Sequence, residues 1–223
     1  PILGFAAGIQ LAGNQLLKIG DWITMSSHGA DGTVTDITLT TVRVQNFDNT
    51  IINIPAYDLV SQPFQNWNGM VQSGARRIKR AINIDVGTIK FLDADLLARL
   101  QKIRLISDYL KDKISEVQAF NATHDIQDSV LNGRHLTNVG TFRAYAVAYL
   151  NSLSTIDHSQ TCMVRQLDPT TAGLPLEIYC FTATTDWGKY ENIQSDVFDH
   201  LYSAGRNVSM AARVLLGADK QHS

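Results

Sequence analysis

The residues best able to ligate a metal or move a proton near neutral pH are six histidines, His28, His124, His135, His158, His200 and His222. Their spacing matches no metal-binding pattern, and His124-Asp125 stands without the third convergent group that a triad needs. Cys162 and Cys180 form no Cys-x-x-Cys pair. They read as two reduced, semi-buried thiols, with a disulfide as the alternative. Asp93 and Asp95 are spaced as helix-start acids, not as an acid/base pair. No Gly-rich phosphate loop and no Ser or Cys nucleophile motif occurs. The expectation is therefore no catalytic residue, no cofactor and no metal, and an enzyme is the least favoured class. The densest charge is basic: Arg76, Arg77, Lys79 and Arg80. On a strand, Arg77 and Lys79 share one face and Arg76 and Arg80 the other. A solvated edge at a domain boundary is the plain reading of that cluster.

The composition of the 223 residues is that of a globular chain, with 44% hydrophobic and 18% charged residues. Length allows one or two domains with a real core. A net charge of -2 argues against a dedicated nucleic-acid binder. No stretch reaches the roughly 20 apolar residues that a membrane span requires. The chain begins at Pro1 within an apolar segment, which reads as part of a longer protein.

Three kinds of element must position these residues. Residues 1–17 carry no charge, and Gly4, Gly8 and Ala12 recur four apart, a smooth stripe on a helix. Such stripes let helices approach closely, as in membrane bundles, although an ordinary buried helix would also suit. Lys18-Ile19-Gly20-Asp21 breaks that helix. From Thr33 to Ile54, short runs rich in Val, Ile and Thr predict strands at 33–37, 41–47 and 51–54, with a turn at Asp48-Asn49. They suit a small antiparallel barrel or sandwich over about residues 19–68. Residues 67–74 read as a link.

A second pattern follows. A strand is predicted over 77–86, with Ile78, Ile82, Ile84 and Val86 on one face, and a helix over 91–107. Residues 108–133 read as partly helical at most, and 141–150 suits either a helix or a strand. Strands are expected at 161–167 and 174–184, a helix over 186–203 ended by Gly205, and a last strand over 208–216. The order β, α, β, β, α, β is that of a ferredoxin-like domain. Trp22, Trp67 and Trp187 read as core or subunit anchors.

Phe5-Ala6-Ala7-Gly8-Ile9, Gly20-Asp21-Trp22-Ile23 and Ile52-Asn53-Ile54-Pro55 stand in an order that resembles the small-conductance mechanosensitive channel family. Phe5-Ala6-Ala7-Gly8-Ile9 is similar to its Gly/Ala-rich pore helix, and Gly20-Asp21-Trp22-Ile23 to the start of its β domain. Gly32-Thr33-Val34, Asp36-Ile37, Thr41-Val42 and Ile52-Asn53-Ile54-Pro55 follow at approximate spacing. Asn46-Phe47-Asp48, Gly74-Ala75-Arg76-Arg77-Ile78-Lys79-Arg80 and Gly173-Leu174-Pro175-Leu176-Glu177-Ile178-Tyr179 resemble the larger miniconductance-type bacterial members, which also carry extra sequence such as that between about 106 and 138. Many family members have Asn after the Ile-Pro pair, where this chain has Ala56-Tyr57.

The resemblance implies the end of a pore-lining helix (1–18), a small all-β, Sm-like domain (19–72), and an α/β ferredoxin-like domain with an insertion (73–223). It implies a homo-heptamer in a bacterial inner membrane that meets lipid through upstream spans, with this segment mostly cytoplasmic. It implies opening under membrane tension and solute release in hypo-osmotic shock. Gly4, Gly8 and Ala12 would be pore-helix packing positions, and Arg76, Arg77, Lys79 and Arg80 an electrostatic filter attracting anions at the vestibule. No nucleic-acid partner is expected. The alternative from another class is a soluble RNA-binding or interaction module on the same architecture.

Overall fold

In the computed structural model of the protein, residues 6, 7, 9, 10, 13, 16–124 and 130–209 are described. The chain divides into two units, Pro1–Gly74 and Ala75–Ser223.

In the first unit, residues 6, 7, 9, 10 and 13 have helical backbone. A five-stranded antiparallel sheet follows, in the order β4-β3-β2-β1-β5. Its strands are β1 (Trp22–Met25), β2 (Ala30–Ile37), β3 (Thr41–Asn46), β4 (Ile51–Pro55) and β5 (Gln65–Asn66). Alternation in Thr41-Val42-Arg43-Val44-Gln45 puts Val42 and Val44 inside, where they meet Ile23, Met25, Val34 and Ile54. The turn at Asp48-Asn49 forms because the Asp48 carboxylate accepts the Thr50 amide at 3.0 Å, while Asn49 takes φ 67°. Gly32 permits the tight β2–β3 approach: a Cβ there would lie 2.0 Å from the Gln45 carbonyl oxygen. The strand β1 was not predicted, since four residues with a Trp and a Met carry little periodicity. Residues 67–74 are more ordered than a link: helix α2 (Asn68–Ser73) fills them and ends at Gly74 in a left-handed cap. Helix α1 (Ala56–Ser61) follows β4 directly, with Ala56 and Leu59 buried.

The second unit holds a three-stranded antiparallel sheet, ordered β6-β8-β7, from β6 (Arg76–Ile84), β7 (Met163–Gln166) and β8 (Leu174–Thr182). Its helices are α3 (Ala94–Leu100), α4 (Ser107–Thr123), α5 (Asn138–Ser152) and α6 (Trp187–Asn207). One core joins them, with Ile78, Ile82, Ile84, Ile178 and Cys180 from the sheet against Leu96, Leu110, Phe142, Leu150 and Phe198. Val86 falls outside the strand and is exposed.

Three local expectations are corrected and one open reading is resolved. The helix expected over 91–107 begins later, because the Asp93 carboxylate caps it by accepting the Leu96 amide at 2.8 Å. Residues 107–123 form a full helix with only Leu110 fully buried, so its sequence lacks a strong apolar stripe. Residues 141–150 are helical within α5, with Phe142, Ala146 and Leu150 inward. Gly205 does not end α6; it is buried within the helix near the Phe142 ring. The last strand expected over 208–216 falls mostly outside the described residues, and Val208 and Ser209 form a turn.

Candidate functional site

The helical residues of the first unit lead to the sheet through Lys18, Ile19, Gly20 and Asp21. Gly20 takes φ 94°, a conformation open to glycine and strained for other residues. Its amide donates to the Val34 carbonyl at 2.8 Å, and the Val34 amide returns a bond to Asp21 O at 2.9 Å. This stitches the incoming chain to β2 before β1 begins.

Asp21 is buried, at 9% exposure. Its Oδ2 accepts the Lys18 amide at 3.0 Å and the Asn66 side-chain amide at 2.9 Å. Asn66 Nδ2 also reaches Leu16 O at 3.4 Å. A buried carboxylate is costly unless its lone pairs are filled, so these bonds fix one geometry. Ala7 and Leu17 are buried in the same cluster as Ile23 and Val34. Ala7 of the helical segment therefore shares a core with the sheet, and the clasp pins the residues that enter the sheet to β5.

Beside the clasp lies an aromatic group. Trp22 and Trp67 stack with centroids 4.9 Å apart, and Phe47 meets Trp22 edge-on at 5.3 Å. Trp22 Nε1 and Thr24 Oγ1 both donate to Asp31 Oδ1 at 2.9 Å, and Trp67 Nε1 donates to Thr24 Oγ1 at 2.9 Å. The two indoles are part-exposed and held by their ring nitrogens, whereas Trp187 is 61% exposed at the start of α6 and is no core anchor.

A second polar set joins the turn before β2 to α1. His28 Nε2 lies 2.9 Å from Asp58 Oδ2, and Ser27 Oγ lies 3.0 Å from His28 Nδ1. The Ser27 hydroxyl donates to Gln62 Oε1 at 3.0 Å, so its proton is not directed at the imidazole. The trio ties the turn down and builds no activated nucleophile.

The basic cluster is split by β6. On the helix-covered face the Arg76 guanidinium lies 4.4 Å from the Tyr190 ring centroid, and that of Arg80 4.5 Å from Phe198. Tyr190 also donates its hydroxyl to Arg77 O at 3.1 Å, locking α6 to β6. On the opposite face, Arg77 lies 5.8 Å from the Tyr179 ring and Lys79 is exposed. Two of the four cations are thus engaged by α6 aromatics. Gly4, Gly8 and Ala12 lie outside the described residues.

Among the described residues no group of three or more His, Cys, Asp or Glu is placed to hold a metal. Cys162 and Cys180 are free thiols, and burial, with Cys162 adding to it, pushes the Cys180 thiol up to about 12. No described helix is long and apolar enough to cross a membrane. The clasp and the aromatic group escaped sequence reasoning because Asn66 and Trp67 sit in a stretch without periodicity.

Residues 1–69 match the family model described as "Mechanosensitive ion channel, beta-domain". The chain is 23% identical over 197 residues to an uncharacterized MscS family protein of Helicobacter pylori, covering 86% of this chain and 27% of that one. It is 22% identical over 215 residues to the low conductance mechanosensitive channel YnaI of Escherichia coli, covering 95% and 48%. The chain thus spans less than half the length of these curated relatives. In fold it is similar to Arabidopsis thaliana MSL1, with a TM-score of 0.61 at 13% identity over 96% of this chain and 58% of that one. It is also similar to Helicobacter pylori MscS in its closed state, with a TM-score of 0.56 at 16% identity over 99% and 66%. Residues 1–69 thus match a mechanosensitive-channel β-domain, and the chain is similar along most of its length to proteins of the small-conductance mechanosensitive channel (MscS) family.

Proposed function

We propose that this chain is the cytoplasmic part of an ion channel of bacterial inner membranes that opens under membrane tension and releases solutes in hypo-osmotic shock. The observation that carries the reading is the clasp beside a shared core: Asp21 Oδ2 accepts from the Lys18 amide and the Asn66 side chain, pinning the chain that enters the sheet to β5, and Ala7 of the helical segment is buried with the sheet residues. Tension can shift such an equilibrium only through its different coupling to the closed and open forms. A rigid joint passes that difference from pore helix to β domain.

In this reading residues 1–18 end a pore-lining helix in which Gly4, Gly8 and Ala12 pack against neighbouring helices of a homo-heptamer. Residues 19–72 form an Sm-like domain and 73–223 a ferredoxin-like domain, with kinship to the miniconductance-type members. The β6-β8-β7 order supports the ferredoxin-like assignment. Lys79 and Arg77 face away from α6 and are the cations suited to attracting anions at a vestibule; Arg76 and Arg80, lying over α6 rings, are less so.

The test is a pressure-ramp patch recording of the full-length protein in cells lacking other tension-gated channels, with expression verified by blot. Stepwise currents that rise with suction are expected. Silence up to membrane rupture overturns the reading. Gly8→Leu is expected to shift the activation pressure, and an unchanged threshold would remove Gly8 from the packing stripe.

A further inference from the structure

The second unit contains a basic cleft far in sequence from the clasp. Lys113 and Tyr109 of α4, Arg134 and His135 before α5, and Thr137 and Arg143 at the start of α5 line about 180 Å³ of space, and no carboxylate lines it among the described residues. Like charges do not gather around one cleft without cost. Among the described residues, one carboxylate meets part of that cost. Glu116, beside the cleft, accepts Lys113 Nζ at 2.6 Å and Arg134 Nη2 at 2.8 Å. Among the described residues, it offsets one of the three permanent cations lining the cleft and leaves two.

The segment bearing Arg134 is held firmly. Arg134 N donates to Asn121 Oδ1 at 2.8 Å, and Asn121 Nδ2 donates to Arg134 O at 2.9 Å. The Arg134 guanidinium lies 5.2 Å from the Phe120 ring. The cations are therefore presented by a fixed backbone rather than by a trailing loop.

The cleft also opens into an apolar groove. Tyr109, Lys113, Gly140 and Arg143 line both the cleft and a neighbouring groove of about 430 Å³, whose other walls include Leu105, Val147 and Val164. A polar end and an apolar end thus share four residues, the layout of a small-molecule site with a few convergent polar groups.

We infer that the α4–α5 cleft binds a phosphate monoester carried on a small apolar body, the phosphate among Lys113, Arg134 and Arg143 and the body in the Leu105–Val147 groove. The charge selects phosphate: a monoester carries about -1.5 to -2 at neutral pH, which balances the two cations that Glu116 leaves. The three oxygens suit the paired donors of two guanidinium groups. The inference does not depend on channel activity.

The test is calorimetric titration of the purified full-length protein at low salt with four probes: inorganic phosphate, adenosine 5′-monophosphate, hexyl phosphate and adenosine. One or both esters should bind about tenfold or more tightly than inorganic phosphate, and adenosine should not bind. Preference for the nucleotide would point to a soluble source and preference for the alkyl ester to a lipid-derived one; either supports the site. Arg143→Glu should weaken ester binding by about tenfold or more, while Glu116→Gln, which removes the competing carboxylate, should tighten it several-fold. Absence of ester binding, equal affinity for inorganic phosphate, or Arg143→Glu binding like wild type overturns the proposal. The opposite directions expected for the two variants separate a binding role from a general loss of folding.

Discussion

Asn66 Nδ2 donates to Asp21 Oδ2 at 2.9 Å across 45 positions of sequence, so the two-residue strand β5 fastens the turn from which β1 starts. Removing the amide leaves a buried carboxylate oxygen short of a donor. Asn66→Ala should lower stability by about 1–3 kcal/mol. Urea titration followed by Trp fluorescence would measure it, since Trp22 and Trp67 flank the clasp. Asn66→Asp should be worse, because it sets two carboxylates face to face.

Gly32→Ala tests the β2–β3 approach. Its Cβ would meet Gln45 O at 2.0 Å and Asn46 Cα at 2.6 Å, both backbone atoms that cannot rotate away. A loss of about 3 kcal/mol or more is expected, read as a lower thermal midpoint. A neutral result would mean that these strands part more easily than their pairing indicates.

Phe142→Ala should cost about 3–5 kcal/mol. The ring is 1% exposed and sits in the core with Leu201 and Phe198, beside Gly205 of α6. Chemical denaturation of the variant would report it, with β6–α6 contacts expected to loosen together.

Glu116 gives a pH prediction. Hydrogen bonds from Lys113 first, and then Arg134, hold its carboxyl below the usual glutamate value. A carboxyl depressed in the folded state stabilises the fold above its unfolded value, and that contribution disappears as pH falls through the folded value. The thermal-midpoint gap between wild type and Glu116→Gln should therefore be widest at neutral pH and close on acidification. A gap that grows in acid would reverse the sign.

Cys180 should resist thiol reagents in the native state. Its thiol is pushed up to about 12, and it is buried against Ile78 and Ile178. Ellman's reagent should find it only after unfolding.

The elements with strong periodicity were legible in sequence. Thr41–Gln45 alternates and is β3, and Ile78, Ile82 and Ile84 mark the inner face of β6. Helix α4 was not legible, because a helix that buries one residue fully leaves no apolar stripe. Helix α5 was ambiguous, since its Tyr and Val suit either period. The parity of the basic cluster was readable, but the rings beneath Arg76 and Arg80 come from α6, more than a hundred positions away. A single polar pair such as Asp21 and Asn66 has no sequence signature at all. The stripe at Gly4, Gly8 and Ala12 lies outside the described residues.

The strand order of the second unit bears on how the polypeptide is made. Thr182 Oγ1 donates to Arg76 O across 106 positions, and among the described residues β6 pairs with no strand but β8. As the nascent chain leaves the ribosome, the hairpins of residues 22–55 can close among near neighbours. Strand β6, whose inner face carries Ile78, Ile82 and Ile84, must wait until β8 has been synthesised. Closing so distant a pair is entropically slow. During synthesis this greasy strand is the stretch most in need of a chaperone, and a stall between residues 84 and 174 would expose it to aggregation.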